Sequence, residues 1–127
     1  TVGKEDHRDS GQWMACSVGD ADRDGVPDLC VAADEGKVVN NKRSIRLISC
    51  KSHELIRAVI DTGGAERCMR SLCGGLDYNR DGVEDVVVGF VGPGIGTGLV
   101  EVLSGATGGS LRRIVQSVDT AHTVKTP

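Results

Sequence analysis

Aromatic side chains are almost missing from this sequence: Trp13, Tyr78 and Phe90 are the whole set in 127 residues. A core must then come from Val, Leu, Ile, Ala and Cys, a composition that suits strands better than helices. The same scarcity leaves the basic pairs Lys42-Arg43 and Arg112-Arg113 without stacking partners, so both pairs read as solvated edges. A net charge of −3, gathered into a few acidic clusters, excludes a broad nucleic-acid surface. No apolar run approaches the roughly 20 residues of a membrane-spanning helix, and no signal peptide is visible. The five cysteines, Cys16, Cys30, Cys50, Cys68 and Cys73, make no CxxC pair and have no histidine-rich companion, which excludes an ordinary zinc site. Most lie in apolar segments, where a free cysteine acts as a small hydrophobe; in a secreted protein one or two disulfides would form and the odd count would leave a thiol over.

What is present suffices for a single folded domain. With 39% hydrophobic and 26% charged residues the chain is not of disordered composition. It opens on Thr1, which suits a processed product or an excised fragment.

An internal repeat organises the chain. GDADRDGVPDLCV, residues 19 to 31, returns as GLDYNRDGVEDVVVG, residues 75 to 89, and Asp20 to Asp77 is an offset of 57 residues. The surroundings return too: SIRLIS (44 to 49) matches LVEVLS (99 to 104), and LIRAVID (55 to 61) matches LRRIVQSVD (111 to 119). Each unit offers four short segments of strand character separated by turn residues. They are 13 to 18, 28 to 33, 44 to 50 and 54 to 60 in the first unit, and 70 to 75, 85 to 91, 98 to 104 and 110 to 118 in the second. Helical periodicity is never sustained, so the expected fold is all-β.

Four antiparallel strands in a repeat of this length predict a β-propeller blade, and the chain then holds two. The expected division is an N-terminal segment 1–12, blade one over 13–68, blade two over 69–119 and a tail 120–127. Two blades bury one interface and leave two apolar faces open, which calls for further blades of a longer propeller, copies of the same chain, or another partner. Two-blade chains close only even rings, and a rotation that fails to close builds a filament.

The repeated loop reads D-x-[DN]-x-D-G-x-x-D. Alternating carboxylates converge when the backbone curls, and Gly25 and Gly82 permit the turn. The candidate ligands are Asp20, Asp22, Asp24, the Val26 carbonyl and Asp28 in the first loop, and Asp77, Asn79, Asp81, the Val83 carbonyl and Asp85 in the second. All-oxygen ligands on a flexible loop suit Ca²⁺, whereas Mg²⁺ demands a tighter octahedron. An EF-hand would need a glutamate at loop position 12, where Val31 and Val88 stand. A polar hairpin turn with no cation is the simpler alternative.

GDADRDGVPDLCVAA and GGLDYNRDGVEDVVVGFVG resemble the FG-GAP repeats of integrin alpha subunits and of many bacterial secreted proteins, and GLVEVLSGATGGSL is similar to the last two strands of such repeats. The resemblance implies a calcium-binding loop between the first two strands of a propeller blade, and a secreted or extracellular setting, at a cell surface or in a periplasm. No Arg-Gly-Asp occurs, so cell adhesion does not follow.

Enzyme signatures are absent from the sequence. GPGIGTG, residues 92 to 98, matches neither a phosphate loop nor a dinucleotide fingerprint and reads as a strand connection. There is no G-x-S-x-G elbow, Cys50 and His53 have no third residue to orient them, and Glu66 and Glu101 have no visible carboxylate partner. The expectation is a noncatalytic, calcium-stabilised repeat module for protein or glycan contact or self-assembly. The alternative is a fragment of a secreted polysaccharide-acting propeller enzyme whose catalytic residues lie outside this chain.

Overall fold

The structure is a computed structural model that describes residues 12–36, 42–59, 64, 67–92, 97–118 and 124–125. Within them the chain is all-β, with no helix and hence none long and apolar enough to cross a membrane. Strands β1 (Gln12–Gly19), β2 (Asp28–Asp34), β3 (Arg43–Ile48) and β4 (Leu55–Val59) form one antiparallel sheet in chain order. Strands β5 (Cys68–Leu76), β6 (Asp85–Val91), β7 (Thr97–Leu103), β8 (Ser110–Val118) and the two-residue β9 (Val124–Lys125) form the second, again in chain order. The eight expected strands are β1 to β8, and β9 lies in the segment read from sequence as a tail. The other residues of the expected N-terminal segment and tail, apart from Gln12, lie outside the described residues, as does 93–96 of the GPGIGTG connection.

Register is set by which side chains the sheets bury. In β2 every even residue from Asp28 to Asp34 is buried, and Cys30 and Ala32 face the same way as Ile45 and Leu47 on β3. In β6 it is Val86, Val88 and Phe90 that are buried, with Leu99 and Leu103 on β7. All nine belong to one hydrophobic cluster shared by the sheets. Each fully buried Leu or Ile in it contributes roughly 1.5–3 kcal/mol by leaving water.

These two buried faces are opposite faces of the repeat. Cys30 corresponds to Val87 and Ala32 to Gly89, yet it is Val86, Val88 and Phe90, the counterparts of Leu29, Val31 and Ala33, that meet sheet one. The register confirms the correspondence, since Cys16 pairs with Cys30 as Cys73 pairs with Val87. The front of the first sheet therefore packs on the back of the second. A two-fold sandwich would bury equivalent faces; this arrangement is head to tail.

Three polar ties fix the stacking. Asp34, buried at the end of β2, accepts the Met69 N–H at 2.5 Å. Arg43 donates to the carbonyls of Arg67 and Gly64 and lies over the Phe90 ring at 4.9 Å. This corrects the reading of Arg43 as part of a solvated edge, because the guanidinium of the first residue of β3 reaches across to the facing sheet and the residue is half-buried, while Lys42 is exposed. At the edge where β1 lies beside β5, a Cβ on Gly74 would fall 1.9 Å from the Ser17 carbonyl oxygen, so only glycine fits.

All five cysteines are free thiols, of which Cys30 alone is buried. Cys16 and Cys30 face each other across β1 and β2; their hydrogen bond holds the Cys16 thiol below its ordinary pKa and, with burial, pushes that of Cys30 far up.

Candidate metal centre

The acidic stretch 20–27 is the loop between β1 and β2, and 77–84 is its twin between β5 and β6. The two loops share one backbone path. Arg23 and Arg80 both adopt the left-handed conformation, at φ 63° and 59°, and Gly25 and Gly82 follow at 91° and 90°. The first aspartate of each loop closes the curl with both carboxylate oxygens: Asp24 and Gly25 donate their N–H groups to Asp20 at 3.0 and 2.7 Å, and Asp81 and Gly82 donate to Asp77 at 3.1 and 2.9 Å. One turn on, the Val26 and Val83 N–H groups donate to Asp24 and Asp81. Short carboxylate side chains are favoured here because they satisfy turn N–H groups that no ladder reaches.

The last aspartate of the motif is different, being buried in both copies. Asp28 takes the Ala21 N–H on Oδ2 at 2.8 Å and, on Oδ1, the Cys50 N–H from the β3–β4 turn at 3.1 Å. Asp85 does the same for Tyr78 and Gly105, at 2.8 and 3.0 Å. Each thus ties the loop of its own hairpin to the next turn. That turn is also repeated: buried Ser49 and Ser104 each accept two N–H groups on their hydroxyl, from Lys51 and Ser52 and from Ala106 and Thr107. Ser49 in addition donates to Asp24 Oδ2 at 3.4 Å. Motif spacing did not reveal these serines as part of the site, though both end the matched segments SIRLIS and LVEVLS.

The curl gathers three carboxylates. Asp20, Asp22 and Asp28 each bring one oxygen within 4.8 Å of the other two. Oxygens that share one Ca²⁺ at about 2.3–2.6 Å lie no more than about 5 Å apart, so the three residues fit a divalent cation. Their N–H bonds leave lone pairs over, since a carboxylate has about four acceptor positions. Asp24 stands outside the triad, engaged with Val26 and Ser49. In the second loop Asp77 and Asp85 hold the equivalent places, but Asn79 replaces the middle acid, and no acidic triad forms there among the described residues. Arg23 reaches toward the second loop, its Nη2 3.6 Å from where a Gly82 Cβ would be, so the loops lie side by side.

Crowding shows in the acidity of the triad. Desolvation lifts Asp20, but the N–H groups of Gly25 and Asp24 and the contact with Asp22 outweigh it and hold its carboxyl below the usual range. Asp22 is held above that range by desolvation, with the charges of Asp24 and Asp28 adding to it against the opposing influence of the nearby Ser49 hydroxyl. The signs oppose each other. Without a cation the Asp22 contribution to stability is greatest in acid and is lost as pH rises through its raised folded value. The Asp20 contribution is present at neutral pH and is lost as pH falls through its lowered folded value. A cation needs both carboxylates ionised. Affinity for a divalent cation should therefore drop as pH falls into the raised Asp22 range, which titrations at neutral pH and at about pH 4, near the ordinary aspartate value, would detect.

Among the described residues the other candidate chemistry does not assemble, and Glu66 lies outside them. Cys50 and His53 are both exposed on the β3–β4 turn, with His53 held at φ 67° by its place in that turn. Glu101 is buried in β7, opposite Arg113 in the ladder.

No protein-family model, curated protein or solved structure matches the chain.

Proposed function

We propose that this chain is a noncatalytic calcium-binding module made of two FG-GAP-like β-propeller blades, working outside the cell through contacts with proteins or glycans. The observation that carries the reading is the convergence of Asp20, Asp22 and buried Asp28 within one cation's reach. Supporting it are the identical backbone path of the second loop, the chain-order antiparallel sheets and their head-to-tail stacking. Asp20 and Asp22 come from the loop and Asp28 from the first residue of β2, so a cation among them clips the hairpin shut. The second loop offers Asp77, Asn79 and Asp85 where the first has Asp20, Asp22 and Asp28, one charge fewer, and so binds more weakly. The carbonyls of Val26 and Val83 complete the two oxygen sets.

Open sites of this kind bind with Kd of about 10⁻⁴ to 10⁻³ M, so each contributes about 0.4 to 1.4 kcal/mol at roughly millimolar calcium. The role is structural. Melting in millimolar calcium should exceed melting in EDTA by several degrees. The double variant Asp20→Asn with Asp22→Asn should lose most of that difference. Equal melting of the wild type in both buffers would overturn the calcium reading.

A further inference from the structure

We infer that the two open sheet faces bind each other between copies of this chain, so that the back of sheet one in one copy covers the front of sheet two in the next. This goes beyond the module proposed above and rests on its head-to-tail stacking, not on its cation. The interface inside the chain supplies the template, because the faces left open are a back and a front of the same repeat.

Burial at matched positions makes the point. Trp13 pairs with Ala33 as Met69 pairs with Phe90, so Trp13 and Met69 hold the same place on the backs of the two sheets. Met69, covered by sheet one, is 1% exposed; Trp13 is 79% exposed. Leu29 and its counterpart Val86 differ likewise, at 38% and 0%. An indole left in water on a strand otherwise set for packing is the kind of residue that anchors an interface.

The open front of sheet two has a place for it. A hollow of about 220 Å³ is lined there by Arg70, Ser71, Gly89, Gly98, Val100 and Ile114. It is smaller than the roughly 300–1,000 Å³ of small-molecule sites and of a size for one side chain. Within the chain, Met69 sits against the end of β2 at Asp34; the counterpart of Asp34 is Val91, two residues along β6 from Gly89 in the hollow. One pair departs from the template. Arg46 stands on the open back where the covered back has Glu101, and Arg112 stands opposite Val102 on the open front. Contact between copies is therefore weaker than contact within the chain, and association is reversible and concentration-dependent.

Sedimentation across micromolar to millimolar protein tests this, with emission from Trp13, the sole tryptophan, as the local probe. The expected result is mass rising above the monomer together with a blue shift. Trp13→Glu, on the back, and Val100→Glu, on the front, should each weaken self-association by roughly 30-fold or more while keeping the β-sheet circular dichroism of the wild type. Mixed together, they should form a dimer and go no further, because each retains the face the other lacks. A wild type that stays monomeric overturns the inference. So does a folded Val100→Glu variant that associates like the wild type, or a mixture that fails to pair. Running the series in calcium and in EDTA separates the two readings: association without a melting response to calcium sinks only the cation, and a melting response without association sinks only the contact between copies.

Discussion

Asp28→Ala is expected to cost about 3–5 kcal/mol of folding stability, out of the roughly 5–15 kcal/mol that a domain holds. The carboxylate is buried and takes N–H groups from both its own loop and the β3–β4 turn, so its removal strands at least two donors at Ala21 and Cys50. The buried Ala21 N–H left unsatisfied costs about 1–3 kcal/mol, the part-buried Cys50 N–H adds a smaller penalty, and the lost tie frees the loop from the turn. Asp24→Ala is the natural control. Asp24 is half-exposed and serves chiefly the Val26 N–H, so about 1 kcal/mol is expected. Urea denaturation in EDTA measures both without any contribution from metal. Equal costs for the two variants would contradict the role given to the buried aspartate.

Gly74→Ala should be nearly as damaging, at about 2–4 kcal/mol, for a steric reason. The added methyl would lie 1.9 Å from the Ser17 carbonyl oxygen and 3.4 Å from Val18 Cγ1. The near atom is backbone in β1, so relief requires β1 and β5 to part, and the shared core must open with them. At Gly98 a methyl would meet only the Phe90 carbonyl oxygen at 3.6 Å, an ordinary contact. Gly98→Ala is therefore expected to change stability by less than about 0.5 kcal/mol. Thermal melts of the two variants beside the wild type separate a close approach between sheets from a general intolerance of alanine in strands.

Much of this fold was legible in the residues. Alternation in Ile45 and Leu47, and the twin loops at Asp20 and Asp77, placed all eight main strands and both acidic turns. The face that each sheet buries was not legible. Val86-Val87-Val88 is apolar on both sides, and so is Leu29-Cys30-Val31, so periodicity carries no sign to say which side meets the neighbour. Only the burial of Val86 and Val88 against Cys30 and Ala32 settles it.

The site was half legible in the same sense. Spacing brought Asp20, Asp22 and Asp28 together; Asp24, placed with them by the same spacing, also closes the turn onto the Val26 N–H and meets Ser49 beside the triad. Carboxylates that close a turn and carboxylates that hold a metal share one pattern, because both tasks need short acceptors on a curled chain. The tie from Asp28 to Cys50, the serines beneath the loops and the bridge from Arg43 to Phe90 depend on contacts between segments far apart in sequence, which no local pattern encodes.

The central claim is that the acidic loops hold calcium, and a calcium titration followed by amide ¹H–¹⁵N correlation spectra tests it residue by residue. The expected result is saturable shifts at residues 20–28, and weaker ones at 77–85, with apparent Kd of about 10⁻⁴ to 10⁻³ M. In the Asp20→Asn, Asp22→Asn variant the first set should vanish while the second remains. Amides in both loops that stay in place at about 10 mM calcium, ten times the weakest affinity expected, would contradict it.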